Sequence, residues 1–99
     1  MSDRVIRHLA IRGRVQGVGY RDWTRHVARD RAIEGWVRNR RDGSVEAMFA
    51  GSEHAVAAMM AACRKGPAHA RVESIEEREG TQEELALRGD DGFAVLRTT

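Results

Sequence analysis

The chain has 99 residues, of which 41% are hydrophobic and 32% charged, a length that fits one ordinary domain and a composition too apolar for a disordered chain. Its single cysteine, Cys63, excludes an internal disulfide and gives no sign of an oxidising compartment. A net charge of only +2 hides an asymmetry: residues 1–42 carry eleven arginines against five acidic side chains, whereas residues 43–99 carry six basic and ten acidic ones. The N-terminal half is therefore the one that attracts anions.

In chain order, "VIRHLAIR" (5–12) is rich in branched residues and ends at a glycine, as a strand does. "RDWTRHVARDRA" (21–32) spaces Trp23, Val27 and Ala28 helically and places Asp22 in the first turn, where a carboxylate favours the helix dipole. "IEGWVRNR" (33–40) and "SVEAMFAG" (44–51) flank Asp42-Gly43, a hairpin-turn signal. In the second of these, Val45, Ala47 and Phe49 alternate with Glu46 and Met48, which predicts a sheet with one buried face. "SEHAVAAMMAACRK" (52–65) opens with a serine cap, puts Val56, Met59, Met60 and Cys63 on one helical face, and stops at Gly66-Pro67. "ARVESIEE" (70–77) and "GFAVLRT" (92–98) read as strands, joined by a polar loop over 79–91.

This order, strand, helix, strand, strand, helix, strand plus a C-terminal strand, predicts an α+β ferredoxin-like fold: a two-layer sandwich with an antiparallel-type sheet and two helices on one face. Right-handed crossovers make the first two strands parallel, with the third between them. Their C-terminal ends then share one edge of the sheet. The loop after the first strand, the start of the first helix and residues near Asn39 are expected to meet there.

That loop lies within "RGRVQGVGYRDW" (12–23). Gly17 and Gly19 permit conformations that turn successive N–H groups inward, the following helix adds its own free N–H groups, and Arg21 in its first turn offers a planar two-point fork. Together these predict an anion site. "GVGYRD" lacks the last glycine of a dinucleotide fingerprint, and no Gly-Lys-Ser/Thr follows for a P-loop.

"GRVQGVGYR" (13–21) followed by "GWVRNRRDGSVE" (35–46) resembles the paired signature of the acylphosphatases, and the likeness extends through "CRKGPAHARVESIEE" (63–77) to the closing "GFAVLRT". The resemblance implies a small, metal-free, cofactor-free hydrolase of the carboxyl–phosphate bond of acyl phosphates, with inorganic phosphate as product and competitive inhibitor. Residue by residue it puts the phosphate cradle on the backbone of Val15, Gln16, Gly17, Val18, Gly19 and Tyr20. It puts the phosphate-binding guanidinium on Arg21 and the water-orienting amide on Asn39.

The remaining chemically active residues are expected to be structural. Cys63 reads as core, Trp23 and Trp36 as core or rim, Asp22 as a helix-start carboxylate, and Arg38, Arg40 and Arg41 as an exposed hairpin end. His8, His26, His54 and His69 show no metal-ligand spacing. The alternative from another class is an RNA- or anion-binding ferredoxin-like module without catalysis. Base stacking needs aromatics displayed on the central strands, and the first strand has none. The N-terminus lacks the apolar run of a secretory signal and no segment is long enough to span a membrane. The expectation is one domain over 1–99: a free-standing, cytoplasmic, monomeric enzyme without nucleic-acid or membrane partners, as opposed to a module of a larger carbamoyl-transfer protein.

Overall fold

A computed structural model describes residues 3–99; Met1 and Ser2, counted in the expected domain, lie outside the described residues. Five strands, β1 (Arg4–Arg14), β2 (Glu34–Asn39), β3 (Val45–Ser52), β4 (Arg71–Glu79) and β5 (Phe93–Val95), form one sheet in the order β4-β1-β3-β2-β5. β3 runs antiparallel to both β1 and β2, so those two are parallel, and β4 lies antiparallel on the outer side of β1. β5 pairs in parallel with β2. The expected ferredoxin-like topology is present, with β5 making the sheet mixed.

Helices α1 (Tyr20–Asp30) and α2 (Glu53–Lys65) form the second layer. Ser52 caps α2 by accepting from the Ala55 N–H, and Gly66 ends it. Between helices and sheet lies the main core: Leu9, Ile11, Val37, Val45, Ala47 and Phe49 from the strands face Ala28, Val56, Met59 and Cys63 from the helices. Phe93 stacks on Phe49 with ring centroids 6.0 Å apart. Cys63 is a core residue, as expected, and burial pushes its thiol up to about 12, out of the range of a nucleophile at neutral pH.

Two expectations need correction. The first strand does not stop at Gly13; it continues to Arg14 with a shift of register against β4 between Arg12 and Gly13. A Cβ on Gly13 would come within 2.2 Å of the Arg71 carbonyl oxygen, so the close approach of β4 at this point requires glycine.

The second correction concerns 79–91. This stretch contains a short helix, α3 (Gln82–Leu85), continued by a 3₁₀ turn over Ala86–Arg88. Thr81 and Glu84 form a capping box, and Arg78 grips the Glu84 carboxylate at 2.6 Å, which holds its carboxyl down at about 2. The segment folds over the outer face of the sheet, where Leu85 joins Trp36, Met48, Ala50 and Ala94 in a second apolar cluster. The Trp36 indole N–H donates to the Glu84 carbonyl at 2.8 Å. Both faces of β3 are buried: Met48 lies within this outer cluster, and Glu46 is buried among His8, Arg38 and Arg40. Leu85→Ala is expected to destabilise the fold by about 2–4 kcal/mol, read as a lowered urea midpoint. An unchanged midpoint would show that the outer cluster contributes nothing to folding.

Among the described residues no helix is long and apolar enough to cross a membrane.

Candidate active site

The β1–α1 loop and the end of β2 meet at one edge of the sheet, as the topology requires. They enclose a pocket of about 360 Å³ lined by Val15, Gly17, Gly19, Tyr20, Arg21, Asp22, Asn39 and Val95. Gly17 (φ +74°) and Gly19 (φ +79°) both adopt the left-handed conformation, which orients the intervening backbone and delivers the chain into α1. Gly19 is the helix N-cap and has no side chain to satisfy the first-turn amides. The first bond onto its carbonyl comes from the Trp23 N–H, so the N–H groups of Tyr20, Arg21 and Asp22 have no acceptor within the helix. These amides and the positive end of the α1 dipole favour a bound oxyanion.

Arg21, partly exposed in the first turn, pairs with none of the described carboxylates. Several of the other arginines are tied to acids, among them Arg4, Arg12, Arg38, Arg40, Arg78 and Arg88. A guanidinium left unneutralised at a pocket wall is a ready partner for a small anion. On the wall formed by β2, the Asn39 Oδ1 is buried and accepts no hydrogen bond among the described residues. Such an acceptor has an unmet demand that a donor entering the pocket can meet.

The remaining loop residues act differently from one another. Gln16 turns away from the pocket and its Nε2 donates to the carbonyls of Arg40 (2.7 Å) and Ser44 (2.8 Å), tying the loop to the β2–β3 hairpin. Val18 packs against the main core. Tyr20 has a buried ring whose hydroxyl donates to the Cys63 carbonyl at 2.6 Å; burial first, then the nearby Cys63, push the phenol far above its usual range. Only its backbone is available to a ligand. Asp22 keeps its helix-start position and also lines the pocket.

Two features were missed from the sequence. Val95 lines the pocket because β5 lies parallel beside β2, and it is one of only two large apolar side chains exposed among the described residues. Arg38 and Arg40, expected to be exposed, are joined to buried Glu46, which in turn accepts from His8. Nothing in the spacing of His8 signalled that contact. Among the described residues no group of three His, Cys, Asp or Glu side chains converges as a metal site.

The chain is thus a ferredoxin-like α+β sandwich with a pocket at one sheet edge, where the uncapped start of α1, Arg21 (in no ion pair among the described residues) and Asn39 come together. The acylphosphatase family model matches residues 7–95, so the chain belongs to the acylphosphatase family. It is 53% identical over 96 residues to an acylphosphatase of Bradyrhizobium diazoefficiens, covering 96% of this chain and 97% of that one. Its structure is similar to that of an acylphosphatase from Bacillus subtilis, with a TM-score of 0.81, 33% identity and coverage of 93% and 98%. An acylphosphatase from Coxiella burnetii gives a TM-score of 0.83 at 26% identity, with coverage of 95% and 94%.

Proposed function

We propose that this chain hydrolyses the carboxyl–phosphate anhydride of small acyl phosphates, with Arg21 and the backbone N–H groups of residues 15–20 holding the phosphoryl oxygens and Asn39 orienting the attacking water. The observation that carries the reading is the convergence of an unpaired Arg21, uncapped α1 amides and the unpartnered Asn39 Oδ1 on one pocket.

The chemistry suits this limited set of groups. The leaving carboxylate has a conjugate acid with a pKa of roughly 4, close to that of Asp or Glu, so no general acid is needed. Phosphoryl transfer passes through a loose transition state in which catalysis is mostly positioning and charge stabilisation. Water oxygen bonds to phosphorus as the bond from phosphorus to the acyl oxygen breaks, and the acyl group departs with that electron pair as carboxylate. The Asn39 carbonyl accepts one hydrogen of the water and aims its lone pair. An amide is too weak a base to take the proton at neutral pH, so the proton passes to a phosphoryl oxygen or to solvent.

The RNA-binding alternative has little to stand on. Trp36, Phe49 and Phe93 of the sheet are buried, which leaves those rings unavailable for stacking bases.

The test is hydrolysis of acetyl phosphate by the purified protein with and without EDTA. Turnover is expected and should be the same in both, since the cradle supplies positive charge from Arg21 and amides. Inorganic phosphate should inhibit competitively. Activity lost in chelator and restored by a divalent cation would overturn the metal-free mechanism, and purely noncompetitive inhibition would place the phosphate elsewhere.

A further inference from the structure

Arg38 and Asn39 end β2, where strand alternation sends the arginine to one face of the sheet and the amide to the other; Arg40, the next residue, turns its side chain to the arginine face, where it bonds Glu46. On the arginine face sits Glu46, whose side chain is 8% exposed. Its Oε1 accepts from Arg38 Nε at 2.6 Å and from Arg40 Nη1 at 3.1 Å, and its Oε2 accepts from His8 Nε2 at 2.6 Å. The register explains the meeting. Glu46 is directly opposite Arg38 on β2 and Ala10 on β1, and His8, two residues before Ala10, reaches it on the diagonal.

Burial alone would push the Glu46 carboxyl up, but the hydrogen bonds from His8 and Arg38 and the charge on Arg38 outweigh it and hold the group below the usual carboxylate range. Arg78 of β4 adds a weaker positive field at the same carboxylate, and Arg38 lies over the Trp36 ring at 4.8 Å. A buried charged cluster is a poor device for stability, since apolar residues of similar volume commonly do as well. Its position indicates another use. Arg40 is gripped twice, through its side chain by Glu46 and through its carbonyl by Gln16 of the glycine loop.

We propose that Glu46 is a positioning residue for Asn39: by holding Arg38 and Arg40 from the far face of the sheet, it fixes the end of β2 and so the direction in which Asn39 presents its amide to the pocket. The proposal rests on the reading of Asn39 as the water-orienting group. Glu46 touches neither water nor substrate and acts through the strand.

Glu46→Gln keeps the shape and one acceptor while removing the charge. It is expected to lower kcat about tenfold, to leave phosphate affinity by calorimetry within about threefold, and to shift or broaden the NMR signal of the Asn39 side-chain amide. Arg40→Met keeps the aliphatic stem and should reproduce all three effects, and it decides the matter if Glu46→Gln does not fold. In an Asn39→Ala background either substitution should change kcat by less than about twofold, because no amide is left to position. If Asn39→Ala by itself retains full turnover, the water-orienting reading fails and the proposal falls with it. If Asn39→Ala is impaired but the second substitution multiplies the loss, or the amide signal stays unmoved in the single variants, the positioning proposal alone is overturned.

Discussion

Arg21→Lys is expected to lower kcat/KM by about a hundredfold, roughly 2.7 kcal/mol, and to weaken inorganic phosphate binding alongside it. Lysine preserves the charge at the start of α1 but replaces a rigid planar fork with a single point donor on a flexible stem, so two phosphoryl oxygens can no longer be held together. Because Arg21 pairs with none of the described carboxylates, its replacement breaks no ion pair within the protein. The thermal midpoint should therefore stay where it is, which separates a lost ligand contact from a lost fold. A drop of less than about tenfold in kcat/KM, roughly 1.4 kcal/mol, would mean that the loop amides carry the phosphate without Arg21.

The parts of the fold legible in the sequence were those carried by periodicity and punctuation. Asp42-Gly43 marked the hairpin, Ser52 and Gly66 marked both ends of α2, and the apolar stripe through Val56, Met59 and Cys63 packs as its spacing predicted. The handedness of crossovers then fixed β1 parallel to β2, and this alone brought Asn39 to the glycine loop. That step is topological, so it needed no side-chain detail.

What escaped was short or two-sided. α3 spans four residues, too few for a helical period to show, and its only sequence signal was the capping-box spacing of Thr81 and Glu84 inside a stretch that otherwise reads as polar. Without α3 there is no cover over Trp36 and Met48, and the alternation in β3 then predicts one buried face, whereas both are buried. Glu46, on the face that the alternation leaves to solvent, is buried instead by its contacts with His8, Arg38 and Arg40. Alternation tells which residues share a face, but whether that face meets water depends on what another segment lays across it. The ion cluster at Glu46 depends on register between three strands, which no single segment encodes. Val95 belongs to the same category: its place at the pocket follows from β5 pairing with β2, a contact between residues nearly sixty positions apart.

For Asn39→Ala the expected result is a fall in kcat of two orders of magnitude or more, roughly 2.7 kcal/mol of transition-state stabilisation, as for loss of a preorganised polar group. The strand itself should survive the change. The Asn39 carbonyl accepts from the Thr99 N–H, and the residue pairs with Val45, through main-chain atoms that alanine retains. Stability supplies a second, independent reading. Oδ1 accepts no hydrogen bond among the described residues, so removing the amide breaks no side-chain bond within the protein and should leave the thermal midpoint unchanged. A residue kept for folding would lower it. Phosphate affinity, measured by calorimetry on the same variant, should change by less than about threefold, because the proposed mechanism assigns the product's oxygens to Arg21 and the loop. If turnover and phosphate affinity fell together while the midpoint held, Asn39 would be a phosphate ligand, and some other group would have to orient the water.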